Sequence, residues 1–251
     1  MMFPCRQKLH FFGVGLGVCL CVLVSVAHAD VLREDASAVR VQVRSRYVDQ
    51  GIQRVPGAPV GEVGGRFVWE RLAFDWEWIT GLGESYDESL IGGAYIFDGR
   101  DMMLAPVVLQ AGARRRGYPG VIERQSRWEA WARVDWFLAR HLALQIDAYQ
   151  GVSRNRTGFG TIGLLFPLPL DLQQGSILTP SITLGLDMGD ISGRRSVKEH
   201  HIEYGVMYFL PLGHSVSCMV ELRHSDGVGG RDTGTRPGTR TWGTLGLVFS
   251  F

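Results

Sequence analysis

From Ala38 to the C-terminus, apolar and polar residues alternate with a period of two in segments of about ten residues, and turn residues separate the segments. The stretch "VRVQVRSRYV" sets Val39, Val41, Val43 and Tyr47 against Arg40, Gln42, Arg44 and Arg46. In "EVGGRFVWE" the apolar set is Val63, Phe67 and Trp69, and Glu62, Arg66 and Glu70 oppose it. "LAFDWEWI" places Leu72, Phe74, Trp76 and Trp78 opposite Asp75 and Glu77. "RWEAWARVDWFL", "HLALQIDAYQ" and "HSVSCMVELRH" repeat the pattern. Successive side chains of a strand point to opposite faces, so each segment reads as a strand with one apolar and one polar face.

The content of the two faces separates a membrane barrel from a soluble sandwich. The apolar face carries Trp and Tyr near the segment ends, as interfacial girdles require, and the polar face carries both signs of charge, as a wet interior permits. Segment length agrees, because a tilted membrane strand needs roughly 9–11 residues, whereas soluble strands cluster near 5–6. The expected fold is all-β, a transmembrane antiparallel β-barrel of about 12 strands, with ten and fourteen as alternatives. The segments fall near 38–50, 61–71, 72–81, 89–98, 102–114, 125–138, 141–152, 157–167, 176–188, 198–211, 214–225 and 240–251. Short joins alternate with longer polar ones, the former expected on the periplasmic side and the latter outside. The join near 167–176 is long where a short turn is expected.

The first thirty residues add a compartment. Arg6 and Lys8 precede an apolar run from Phe11 to Ala27, and a small-x-small exit precedes Asp30. This predicts a cleaved secretory signal peptide over 1–29 and a barrel over 30–251. The apolar run is long enough for an anchor, but it lacks a basic stop-transfer flank. Three of the four cysteines lie in this leader, so Cys218 has no intramolecular disulfide partner. Acids and bases nearly balance, at 25 Asp+Glu against 26 Lys+Arg for the whole chain, which gives no whole-molecule attraction to nucleic acid. The expected location is the cell outer membrane, with outer-membrane lipids and lipopolysaccharide as neighbours and no cofactor.

The last segment, "TWGTLGLVFSF", puts Leu245, Leu247, Phe249 and Phe251 on one face, expected to meet lipid. In lipid every backbone donor and acceptor must pair, so the sheet is expected to close last strand on first. The terminal Phe251 resembles the C-terminal signature by which outer-membrane barrels are recognised for assembly, and so implies the barrel-assembly machinery as a partner. Within "SRYVDQGIQ", the spacing Tyr47, Gly51, Ile52, Gln53 resembles the first strand of an uncharacterised family of porin-like outer-membrane β-barrels. "GARRRGYPG" before "SRWEAW", and "LTPSITLGLD" after a Pro-rich turn, are similar to later strands of that family. The resemblance implies a fold and a location and no substrate.

The candidate site is the barrel interior. Arg40, Arg44, Arg66, Glu70, Asp75, Glu77, Arg127, Glu129, Arg133, Asp135, Asp147, Glu221 and Arg223 are expected to line it, with Arg46 and Glu203. Two readings of this set stand side by side: a hydrated pore whose lining tunes selectivity, and a charge-paired core that fills a closed barrel. A second group, Arg114, Arg115, Arg116, Arg124, Arg154, Arg156, Arg194, Arg195 and Lys198, is expected in loops. It reads as an anion-attracting rim or as contacts to lipopolysaccharide phosphates and solvent. His224 and Ser225 are adjacent, so they are expected on opposite faces, where His cannot take the Ser proton. His200 and His201 are expected to diverge at a solvated strand end. No enzyme is expected. The functional expectation is a small porin-like passive channel for hydrophilic solutes. The alternatives are a closed structural or adhesive barrel acting through its loops and a lipid A- or phospholipid-modifying barrel enzyme.

Overall fold

A computed structural model describes residues 37–49, 52–55, 58–83, 85–99, 106–119, 126–152, 158–171, 175–189, 198–228 and 239–251. The leader expected over 1–29 and the loop cations Arg124, Arg154, Arg156, Arg194 and Arg195 lie outside these residues.

Among the described residues fifteen strands form: β1 (Ala38–Arg44), β2 (Tyr47–Asp49), β3 (Ile52–Val55), β4 (Val60–Trp69), β5 (Leu72–Gly81), β6 (Asp87–Asp98), β7 (Val107–Gly117), β8 (Arg127–Ala139), β9 (Leu142–Gly151), β10 (Gly158–Leu165), β11 (Leu168–Asp171), β12 (Ser176–Gly189), β13 (Lys198–Pro211), β14 (Val216–Gly227) and β15 (Arg240–Ser250). Each barrel strand pairs antiparallel with its sequence neighbours, β1 pairs with β15, and β10 pairs with β12, so the sheet closes as a 12-strand barrel. The seam runs in register from Ala38↔Ser250 to Arg44↔Thr244. Beyond it the Ser45 N–H donates to the Gly243 carbonyl at 2.9 Å and the Gly243 N–H to the Ser45 hydroxyl at 3.0 Å.

Two features depart from simple alternation. The first segment stops at Arg44, and Tyr47 opens a separate hairpin, β2–β3, instead of continuing the first strand. The long join near 167–176 carries β11, which continues the β10 position along β12 after Pro167 interrupts the ladder.

The expected parity holds around the wall. Val41, Val43, Phe74, Trp76, Trp136, Leu245, Leu247 and Phe249 are exposed on the outside, while Gln42, Glu62, Gln110, Glu129 and Asp147 are buried on the inside. Exposed aromatics gather towards both ends of the strands: Trp78 and Trp128 at the loop end, and Trp69, Tyr95 and Trp136 at the end that carries Ala38 and Phe251. An apolar exterior with aromatic rings at two levels, around a polar interior, is the build of a membrane barrel. Among the described residues no helix is long and apolar enough to cross a membrane; the crossing is made by strands. The protein is an outer-membrane-type β-barrel.

Candidate functional site

The interior is organised around a few carboxylates that collect arginines from neighbouring strands. Glu62 on β4 receives Arg40 Nη2 on Oε1 and Arg44 Nη2 on Oε2, each at 2.7 Å. Its side chain is 0% exposed. Arg40 also reaches Glu77 of β5 at 3.0 Å. Glu129 on β8 is a second collector, meeting Arg127 Nε at 2.7 Å, Arg114 Nε at 2.8 Å and Arg116 Nε at 3.5 Å. Arg116 in turn pairs with Glu88 of β6 at 2.8 Å, and the Tyr86 hydroxyl donates to Glu88. Buried charge is tolerable only when it is compensated, and each of these carboxylates has an arginine within 3.0 Å.

The pattern continues around the wall. Arg66 pairs with Asp75 at 3.1 Å and donates to Gln110 at 2.6 Å. Arg133 pairs with Asp147 at 2.6 Å, Thr161 donates to the same carboxylate at 3.1 Å, and Gln145 donates to Asp135 at 2.8 Å. On β13–β14 the proportion inverts, for Arg223 holds both Glu203 and, at 2.6 Å, Glu221.

The β10–β13 wall differs. The register aims Thr161, Gly163, Thr179, Ser181, Thr183, Gly185 and Gly205 inward, so beside Glu203 and His201 this sector carries hydroxyls and bare backbone. Glycines also let long side chains lie flat along the wall. A Cβ at Gly92 would stand 2.7 Å from the Arg114 side chain, and one at Gly205 would stand 2.6 Å from the Ser181 hydroxyl, with Arg223 beside it. Two apolar clusters narrow the space. Ala73, Ala94, Ile96 and Val108 pack with Val68, Trp131 and Phe137 towards the end that carries Ala38 and Phe251. At the loop end, Tyr47 of the β2–β3 hairpin packs with Val60, Ile79 and Tyr86.

Twelve of the thirteen expected lining residues lie on barrel strands facing inward; the exception is Glu70. It occupies the two-residue turn between β4 and β5, with φ 54°, at the barrel rim. Arg46 sits exposed in the bend after β1. Arg114 and Arg116, expected in a loop, are interior residues, because β7 runs on to Gly117. Glu88 and the collector role of Glu62 were not among the expectations. The three consecutive arginines Arg114, Arg115 and Arg116 have no apolar counterpoint to mark them as strand, and pairing partners depend on register between strands, which periodicity does not contain.

The histidine pair corrects a second expectation. The β12–β13 register shifts between Gly185 and Leu186, pairing Gly185 with His201 and Leu186 with Glu199. His200 is the extra residue of a β-bulge. Both rings are buried and their Nδ1 atoms lie 3.1 Å apart, so the side chains do not diverge. Phe159 stacks on His201 and meets His200 edge-on, each at a centroid distance of 6.0 Å. Among the described residues no three metal-ligating side chains converge. His224 and Ser225 do diverge: Ser225 is fully buried, while His224 shares the outer face with Asp226 at 3.3 Å. The hydroxyl that His224 Nδ1 meets, at 2.8 Å, belongs to Thr241 of β15.

No family model and no curated protein matches this chain. Solved structures do. The KdgM porin aligns with 85% of this chain and 99% of its own at 9% identity and a TM-score of 0.58. The NanC porin aligns with 86% and 100% at 12% identity and a TM-score of 0.58. An outer membrane channel from Pseudomonas putida F1 aligns with 86% and 96% at 12% identity and a TM-score of 0.53. At such identities the likeness carries the barrel fold.

Proposed function

We propose that this outer-membrane-type barrel is a small porin-like passive channel for hydrophilic solutes. The observation that carries the reading is the state of the interior charges. They lie along the wall in pairs, and solvent reaches part of the set: the side chains of Arg40, Asp75 and Arg223 are 42%, 38% and 37% exposed, while Glu62, Arg116 and Glu129 are buried. Charged side chains that solvent can reach along a polar wall support diffusion through a wet lumen, with lining charge setting selectivity. The lining set is Arg40, Arg44, Arg66, Asp75, Glu77, Arg127, Glu129, Arg133, Asp135, Asp147, Glu221 and Arg223, with Glu62, Arg114 and Arg116 added to it. One similar barrel, the KdgM porin, has been solved in complex with disordered oligogalacturonate, which is consistent with a hydrophilic cargo for the fold. In the same reading the outer face meets outer-membrane lipids and lipopolysaccharide, and Phe251, exposed past the end of β15, is the contact for the barrel-assembly machinery.

The apolar clusters at the two ends of the interior favour the second reading, a closed barrel that acts through its loops. Single-channel recording decides between them. Refolded chain from Asp30 onward, shown to be folded by heat-modifiable gel mobility, is expected to give steady conductance steps in a planar bilayer. Silence from folded protein would reject the channel and leave the closed barrel.

A further inference from the structure

We infer that the lumen favours uncharged, hydrogen-bonding solutes of the sugar or polyol class over anions, and that the buried glutamates Glu62 and Glu129 set this preference. The inference rests on the channel reading above.

An arginine attracts an anion in proportion to the charge it leaves uncompensated. Arg40 and Arg44 both end on Glu62, and Arg114, Arg116 and Arg127 all approach Glu129. Two acidic residues thus occupy the forks of five arginines. An entering anion must displace a carboxylate already held at 2.7 Å to 2.8 Å in four of these five contacts. Secondary partners compensate further, Glu77 for Arg40 and Glu88 for Arg116. Three more interior arginines follow suit, Arg66 with Asp75, Arg133 with Asp147, and Arg223 with two glutamates. Opposite signs a few ångströms apart cancel at longer range, so these pairs present no continuous basic track along the wall.

What remains available is neutral. The inward hydroxyls of Ser181 and Thr183 on β12 are partly exposed, among glycines that add no bulk, while Thr161 already donates to Asp147 and Thr179 is buried. A hydroxyl both donates and accepts, which matches the hydroxyls of a sugar without asking for charge.

The test uses the refolded chain from Asp30 in a planar bilayer under a potassium chloride gradient, and in liposomes that swell as a neutral hexose or an equal-sized hexuronate enters. The parent is expected to show a chloride-to-potassium permeability ratio within about threefold of unity. The hexose should enter faster than the hexuronate. Glu62→Gln frees one positive charge on Arg40 and Arg44, and Glu129→Gln does the same beside Arg114, Arg116 and Arg127. Each is expected to move the ratio towards chloride by about twofold or more. Arg44→Gln combined with Glu62→Gln restores the local balance and should return the ratio to that of the parent. A strongly anion-selective parent, faster hexuronate entry, or a folded glutamate variant with an unchanged ratio would each overturn the inference while leaving the channel standing. Absence of conductance from folded parent overturns the channel itself. Because loss of a buried partner can block folding, the parent's ratio and solute order decide alone if neither glutamate variant folds.

Discussion

The β1–β9 wall and the β10–β13 wall are built on the same alternation and differ in what they turn inward. The first presents Glu62, Glu77, Glu88 and Glu129 with the arginines they hold, Arg40, Arg44, Arg114, Arg116 and Arg127. The second presents Thr161, Ser181 and Thr183 with Gly163, Gly185 and Gly205 between them. Closing the sheet requires only that the outside be apolar and the backbone paired. The inside is free to vary, and here it divides into a wall dense in ion pairs and a wall where short side chains and glycines stand beside Glu203 and His201. In a barrel, then, the exterior states where the protein lives and the interior states what it does.

The comparison breaks most readily at Glu129. Its side chain is 4% exposed and three arginines surround it. Glu129→Gln leaves buried positive charge without its counter-ion and is expected to lower stability by about 3–5 kcal/mol. Urea unfolding followed by gel mobility measures this, and a loss under about 1 kcal/mol would show that water, and not Glu129, compensates the arginines.

A smaller effect is expected at the glycines beneath the charged wall. A Cβ at Gly92 would meet the Arg114 Cβ at 2.7 Å and the Ala113 carbonyl at 2.9 Å, whereas one at Gly93 meets nothing closer than 3.6 Å. Gly92→Ala should therefore cost about 1–3 kcal/mol, and Gly93→Ala close to nothing. Equal losses at both would mean that glycine serves backbone flexibility here and not the flat packing of Arg114. On the hydroxyl wall Ser181→Ala removes no ion pair and is expected to change stability by less than about 0.5 kcal/mol. A larger loss would place Ser181 in a network as binding as that of Glu129.

How far this division was legible in the chain depends on the kind of signal. Strand positions followed from alternation because lipid enforces it: Leu72, Phe74, Trp76 and Trp78 could face only one way once Asp75 and Glu77 faced the other. The segment from 102 to 114 shows the limit. Its strand continues through Arg114, Arg115 and Arg116, but three consecutive arginines carry no contrast, so they read as a loop. Arg46 and Glu70 show the opposite error, a polar residue on the right parity but one step beyond the last ladder bond. His200 and His201 were beyond reach for another reason. One inserted residue reverses parity locally, and a bulge leaves no mark on the average period. The collectors Glu62 and Glu129 were visible as inward residues, yet which arginines they gather is fixed by register across strands, as in Arg114↔Glu129.

The gentlest test asks only which side of the wall a ring occupies. Trp76 and Trp136 are exposed on the outer face, whereas Trp242, opposite Arg223 in the β14–β15 ladder, is 4% exposed and points inward. Trp76 lies across Gly65, where a Cβ would come within 2.5 Å of its indole nitrogen, so its ring is held against the sheet but still open to lipid. Among the chain's 7 tryptophans, variants that keep Trp76, Trp136 or Trp242 alone isolate each signal. Brominated acyl chains should quench Trp76 and Trp136 strongly and Trp242 weakly. Strong quenching of Trp242 with none at the other two would invert the parity of every strand, since a shift of one residue turns a whole strand over. It would then move the arginine clusters to the lipid face, where paired or not they could not remain. The expected order of quenching therefore underlies both walls, and with them every statement about what the lumen admits.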